Sequence, residues 1–405
     1  MPGPLAGVRI FDLSRILAGP SATQLLGDLG AEVIKVERPG QGDDTRKWGP
    51  PFLKDEEGRD TAESAYYVSC NRSKRSLTLD IAKPEGQALA RRLIGTSDVV
   101  IENFKAGDLA RYGLDYESLK PEFPKLVYCS ITGFGQTGPY AERAGYDILI
   151  QAMGGIMSIT GEADGPPMKV GVAIVDVMCG MYACVAILAA LRHRDRTGEG
   201  QFIDLALLDT EISWLVNQGA NYLIGGKAPG RLGNAHPNIV PYTVMPASDG
   251  WFVLGVGNEA QYRKFCAFAG RPELAEDARF ASNAARVKHR DVLTPMLEEV
   301  TRTRPVAAWI EGLERLGVPA GPVNDIAQVF ADPQARARRM KIEMDREGVQ
   351  GGRVPMIGNP IQFSASPVEY RDPPPRLGEH TEAVLADLLG LGPEEIAALR
   401  ARGVV

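Results

Sequence analysis

Val8-Arg9-Ile10-Phe11-Asp12-Leu13, then Ala22 to Leu29, then Ala31-Glu32-Val33-Ile34-Lys35-Val36 is the stretch that decides the fold. The first and last runs are apolar and rich in β-branched residues, as strands are. Between them Pro20 stands where a helix can start. Strand, helix and strand in this order make a βαβ unit, which predicts a parallel sheet. The alternation continues with a helix at Pro84–Ile94, strands at Val99–Ile101 and Leu126–Ile131, and a further strand at Gln201–Leu207. An α/β fold with a Rossmann-like large domain is therefore expected over residues 1–205.

Beyond it, Gly225, Gly226, Pro229, Gly230, Gly233 and Pro237 mark a linker, assigned to 206–240. Trp251-Phe252-Val253-Leu254-Gly255-Val256 reads as a strand, and Tyr262–Phe268, Val292–Val300 and Val306–Leu316 have helical periodicity. These predict a smaller α+β domain at 241–325. The remainder, 326–405, reads as a return linker with Gly- and Pro-rich extended chain at 351–360, followed by helices at Thr381–Leu389 and Pro393–Arg402 that pack on the large domain.

The composition fits a soluble globular protein: 405 residues, 44% hydrophobic, 24% charged, net charge −6. Charges of both signs are interspersed, with no polybasic run, so nucleic acid is not an expected partner. The five cysteines are scattered without a CxxC pair, and none stands at ligand spacing from a histidine, so neither a disulfide framework nor a metal site is expected. The N-terminal residues lack the apolar run of a signal peptide, and a cytoplasmic location is expected.

One carboxylate stands out. Asp176 ends Gly171-Val172-Ala173-Ile174-Val175-Asp176 and precedes an apolar run from Val177 to Leu191. Gly180 and Tyr182 interrupt that run, and it is shorter than the ~20 residues a membrane span needs. It reads as a helix buried on most faces, and no membrane association is expected. Asp176 has two readings: a cap whose oxygen and charge suit the helix N-terminus, or a nucleophile of the kind that forms acyl intermediates.

The first turn, Leu13-Ser14-Arg15-Ile16-Leu17-Ala18-Gly19-Pro20, lacks the GxGxxG glycines that let a pyrophosphate approach the backbone, which argues against NAD or FAD. Polar segments beside predicted strand ends are Val36–Gly40, Asn71–Ser76 and Glu102–Gly107. Together they could set Arg38, Arg72, Lys74, Arg75 and the nearby Arg111 on one face, a cluster that suits a phosphorylated ligand.

At this point the chain resembles the class III CoA-transferases, the CaiB/BaiF or formyl-CoA transferase family. The resemblance is carried in order by Leu17-Ala18-Gly19-Pro20, Gly27–Glu37, Gly42-Asp43-Asp44-Thr45-Arg46, Asn71–Ser76, Glu102-Asn103-Phe104, Ser130–Gly135, Thr197–Gln201, Gly317–Val323 and Leu377–Thr381. It implies an interlaced homodimer and no permanent cofactor, coenzyme A thioesters being substrates. It also implies that Asp176 is the nucleophile, and that Ile16, Leu17, Ala18, Arg38, Asn71, Arg72, Lys74, Arg75, Asn103, Phe104 and Arg111 bind CoA. Substrate or oxyanion contacts are expected among Arg46, Gly135, Gln136, Tyr146, Arg231 and His236, with Gly255–Gly257 a further oxyanion candidate.

Two departures separate the chain from the formyl-CoA branch: Leu17 replaces a Gln, and no tetraglycine loop is present. Asn221–Gly225, Gly233-Asn234-Ala235-His236, Val240-Pro241-Tyr242 and Gly255–Asn258 look more like the succinate–hydroxymethylglutarate (glutarate) branch. The resemblance then implies transfer of CoA from a donor such as succinyl-CoA to a dicarboxylic acid. The α-methylacyl-CoA racemases share the fold but place a His where this chain has Tyr146, and a neutral phenol is a poor base at pH 7. A non-catalytic CoA-binding protein would explain the cations but leave Asp176 without a role.

Overall fold

The structure, a computed structural model, describes residues 2–405. The chain forms two compact units, one made of the residues up to Gly155 with Val170–Ala220 and Pro333–Val405, the other of Ile156–Lys169 and Asn221–Asp332.

The first unit is built on a six-stranded parallel sheet. Its strands in chain order are Arg9–Asp12, Glu32–Glu37, Lys74–Thr78, Val99–Glu102, Val127–Thr132 and Phe202–Ala206. Across the sheet they run third, second, first, fourth, fifth, sixth. This is the doubly wound Rossmann order, in which the chain reverses direction across the sheet beside the first strand. Ile10 pairs with Val33 on one side and Val99 on the other, which fixes the register at that reversal.

Both sheet faces are covered, so the strands are buried on both sides rather than alternating, and even their polar residues Asp12, Lys35, Glu37, Lys74 and Ser76 are buried. Ile10, Val33, Val99, Ile101 and Val127 pack with the helices Ala18–Asp28 and Ile174–Thr197. Phe11, Ile34, Leu77, Val100 and Tyr128 face the other way, onto Pro84–Ile94 and the C-terminal helices Thr381–Leu389 and Pro393–Ala401.

Three expectations about local structure need correction. The first helix begins at Ala18 rather than Ala22, with Pro20 inside its first turn, where a missing N–H removes no ladder bond. The apolar run extends to a helix of 24 residues, Ile174–Thr197, long enough by length and composition to cross a membrane. It is not buried on most faces: Val175, Cys179, Ala183, Ile187 and Ala190 pack into the core, whereas Val177, Met181, Val185 and Leu188 are exposed. Gly351–Pro360 is not simply extended linker, because Arg353–Ile357 pairs antiparallel with Lys341–Asp345 across a turn in which Gly351 and Gly352 take positive φ.

The second unit holds a three-stranded antiparallel sheet of Ala320–Pro322, Trp251–Gly255 and Tyr242–Pro246. Helices Glu259–Phe268, Arg290–Thr301 and Val306–Arg315 cover it around a core centred on Trp309, Phe252 and Phe265. This unit is α+β.

Candidate active site

The turn after the first strand shapes the site. Asp12 accepts hydrogen bonds from the Ser14 backbone and hydroxyl, bending the chain sharply away from the sheet. Ile16 is then forced to φ +72°, a conformation uncommon for any non-glycine residue and more so for a β-branched one. What holds it is the Asp43 carboxylate, which accepts the Ile16 N–H at 3.3 Å and is itself paired with fully buried Lys35 at 2.8 Å. Lys35 lowers the Asp43 pKa to about 2 against the opposing effect of burial, so the clamp stays charged. Gly19 permits the turn, since a Cβ there would meet the Ser14 side chain at 2.2 Å.

A cleft of about 260 Å³ opens on the far side of this turn. Ile16, Leu17 and Ala18 form one wall, and Asn103, Phe104 and Lys105, beyond the end of the fourth strand, form another. The floor and rim carry Gly133, Arg143, Tyr146, Asp147 and Asp176. The cleft thus lies at the carboxyl ends of the first and fourth strands, where open α/β sheets bind ligands. Asn103 ties the two walls together: its Oδ1 accepts the Arg15 N–H at 2.8 Å, and its Nδ2 donates to the Arg15 carbonyl at 2.7 Å. A second cleft, lined by Leu13, Arg38, Asp43, Leu79, Ile81 and Tyr112, adjoins the first, and Arg15 and Phe104 line both.

Asp176 lies in the first turn of the long helix but does not cap it; the N-cap position belongs to Ala173. Asp176 is therefore not the N-cap, although its charge does stand in the helix's first turn. Burial, and then the neighbouring Asp147 carboxylate, pushes the Asp176 pKa up to about 7. A half-buried carboxyl beside a second one, in an open cleft, has the character of a functional group rather than of a structural ion pair. Tyr66 stands close to both acids, its phenol raised to about 12 by burial and then by Asp176.

The structure brings together Asp176, Ile16, Leu17, Ala18, Asn103, Phe104 and Tyr146, and sets exposed Arg38 in the adjoining cleft. It does not bring the Asn71–Arg75 group to either cleft. Asn71 is buried, donating to the Tyr67 carbonyl and accepting from Lys74. Arg72 pairs with buried Asp28 at 2.6 Å. Lys74 has no exposed surface, donates to the Pro20 carbonyl at 2.8 Å, and is lowered to about 8 by burial. Arg75 pairs with Glu32 and Asp387. These cations complement acids of the sheet and its helices, because Lys74–Thr78 is a strand and not a solvated loop. Arg111 is exposed and stacks on Tyr112, outside the cleft linings.

Arg46 is also buried, bonded to Glu37 at 2.7 Å and lying over the Tyr67 ring, so its charge is engaged away from the cleft. Gln136 donates its backbone N–H to Asp204 and its side chain to Ser130, and with Gly135 lies outside the Asp176 cleft, where Gly133 is the residue present. Arg231 and His236 belong to the second unit. Arg231 donates to the Glu162 and Gly165 carbonyls, and His236 Nδ1 accepts the Asn238 N–H. Gly255 and Gly257 line a hollow within that unit. Residues of the Asp176 cleft that the sequence reading missed are Arg15, Lys105, Arg143 and Asp147. Arg15 and Lys105 adjoin motifs that were singled out, Asp147 follows Tyr146 directly, and Arg143 sits in a polar loop without pattern.

The family model for CoA-transferase family III matches residues 5–381. The chain is 52% identical to succinate–glutarate CoA-transferase of Agrobacterium fabrum, with 95% of this chain and 96% of that protein covered. It is 43% identical to human succinyl-CoA:glutarate CoA-transferase, over 99% and 90%. Among solved structures, a CAIB/BAIF family protein from Brucella suis superimposes with a TM-score of 0.85 at 53% identity, covering 96% of this chain and 100% of that one. The chain belongs to CoA-transferase family III and is a CoA-transferase.

Proposed function

We propose that this transferase moves CoA from succinyl-CoA, or a similar acyl thioester, to a second dicarboxylic acid, with Asp176 as the covalent carrier. The observation that carries the reading is the position of Asp176, a half-buried carboxyl with its pKa pushed up to about 7, facing a cleft at the carboxyl ends of the first and fourth strands. The ionised Asp176 attacks the thioester carbonyl, the C–S bond breaks, and CoA thiolate leaves a mixed anhydride. The thiolate then attacks the aspartyl carbonyl and expels the donor acid, leaving aspartyl-CoA. The acceptor carboxylate repeats the sequence in reverse and frees Asp176. No proton is gained or lost overall, and the thioester formed at the end is similar in energy to the one consumed. Water has to be excluded, since both intermediates hydrolyse.

The two adjoining clefts suit an extended CoA molecule, its nucleotide beside Arg38 and its sulfur beside Asp176. Relatives that act on succinate and glutarate favour a dicarboxylate acceptor. The acid's non-reacting carboxylate needs a partner, because burying it unpaired costs several kcal/mol. Arg143 fits that role: it lines the Asp176 cleft and its guanidinium is oriented over Phe134 and Tyr140, with no ion-pair partner among the described residues. Wild-type enzyme should use glutarate far better than butyrate, and Arg143→Met should erase that preference while leaving CoA binding in place. Equal use of both acids by the wild type would contradict the dicarboxylate reading.

Racemisation is the weaker alternative, because Tyr146 lines the cleft and, among the described residues, no histidine does. The exposed apolar stripe Val177, Met181, Val185 and Leu188 supports a homodimer, since a second copy would cover it; interlacing of the two chains is the arrangement that the family resemblance favours.

A further inference from the structure

The helix that carries Asp176 begins without a cap of its own. Ala173 offers no side-chain acceptor, yet the first N–H groups of a helix need partners from outside its ladder. They find them on a different helix, Asp147–Met153. Asp147 Oδ1 accepts the Val175 N–H at 2.9 Å and the Asp176 N–H at 3.4 Å. Asp147 Oδ2 accepts the Gln151 side-chain N–H at 2.6 Å, and Gln151 Oε1 accepts the Val170 N–H at 2.8 Å. Gln151 is fully buried. One carboxylate and one amide, a helical turn apart, thus grip the chain at Val170 and again at Val175–Asp176, on either side of the bend that leads to the nucleophile.

We propose that Asp147 and Gln151 are positioning residues for transfer: Asp147 caps the nucleophile's helix from the neighbouring element, fixes Asp176 in the cleft and sets a second negative charge beside it, while Gln151 holds Asp147 and the incoming chain. This rests on the reading of Asp176 as nucleophile. Two consequences follow, one geometric and one electrostatic. A misplaced nucleophile loses rate rather than affinity. A neighbouring like charge opposes ionisation of Asp176, so the acid limb of activity lies higher with Asp147 charged than without it. Other titratable or charged groups around Asp176 are Tyr66 from the Ala65–Ser69 helix, Cys179 one turn along its own helix, and Arg15, Lys105, Asp108, Arg143 and Tyr146 of the cleft. Asp147 is the one whose charge raises Asp176.

The two effects separate in paired variants. Asp147→Asn keeps an oxygen for the helix N–H groups but turns an NH2 toward the Gln151 NH2, so two donors meet. Adding Gln151→Glu gives acceptors to both Asn and the Val170 N–H. The double variant therefore restores the hydrogen bonds and the net charge, with the negative charge moved away from Asp176. The experiment measures kcat, KM and the pH profile of wild type, Asp147→Asn and Asp147→Asn/Gln151→Glu, with thermal melts and hydroxylamine trapping at Asp176. The single variant should lose about 10- to 100-fold in kcat with KM little changed. The double variant should regain most of that loss, and the acid limb should move to lower pH in both. If the single variant does not fold, the acid limb of the double variant decides. Unchanged kcat and acid limb, or a lower melting temperature with kcat of the folded protein intact, would overturn the proposal while trapping still marks Asp176. Active wild-type enzyme with no label at Asp176 would overturn it at its premise.

Discussion

Asp176 is a residue whose chemistry and stability pull in opposite directions. Its carboxyl is raised from 3.8 to about 7, by burial and then by Asp147, so the folded chain holds that proton more tightly than the unfolded chain does. The stabilisation is fully present below the unfolded value and is lost as pH rises through about 7. Asp176→Asn is neutral at every pH. It should abolish transfer and raise the melting temperature relative to wild type at about pH 8, with little gain at about pH 4. A melting curve at each pH checks this, and an equal gain at both would mean that the buried charge is not what destabilises the wild type. Asp176 was legible as a candidate in the sequence because it stands alone before an apolar helix, and the family resemblance favoured the nucleophile over the cap. Asp147 was not legible. Its capping bond crosses from one helix to another, and nothing in the spacing of residues 147 and 176 announces it.

Between elements, the decisive contact is the crossing of the helices Ala18–Asp28 and Ile174–Thr197. A Cβ on Gly180 would meet the Ala18 carbonyl oxygen at 2.7 Å and the Ser21 hydroxyl at 2.4 Å. Gly180 therefore lets the helix that bears Asp176 approach the turn that carries Ile16–Ala18. Gly180→Val should destabilise the fold by about 1–3 kcal/mol, and in the protein that does fold it should lower kcat more than it weakens CoA binding. Denaturant titration and kinetics measure the two losses. A stable variant with full activity would mean that this approach does not set the position of Asp176. The same elements show where reading polarity along the chain went astray. Asn71–Arg75 has the composition of an anion-binding loop, but its cations are matched by Asp28, Glu32, Asp12 and Asp387, all distant in sequence except through the fold. Charge pairing across a sheet is invisible to a linear pattern. Arg38 and Asn103 were found because they adjoin the ends of strands that periodicity does reveal.

For the molecule as a whole, the Rossmann-like parallel sheet was readable from the βαβ unit and the recurring strand–helix alternation, whereas the strand order came only with the structure. Less readable was the outward face of the long helix, because an apolar sequence does not say which of its sides the core leaves exposed. Val185 is 63% exposed on that face. Val185→Glu should weaken self-association without unfolding the monomer, which sedimentation would show as a concentration-dependent shift to the single chain; an unchanged dimer would place the interface elsewhere. The covalent step proposed at Asp176 can be observed directly. Wild-type enzyme incubated with succinyl-CoA and no acceptor, then treated with hydroxylamine, should yield a peptide bearing a hydroxamate at Asp176, with no such product from Asp176→Ala. A hydroxamate on another residue, or full transfer by freshly purified Asp176→Ala, would contradict the assignment.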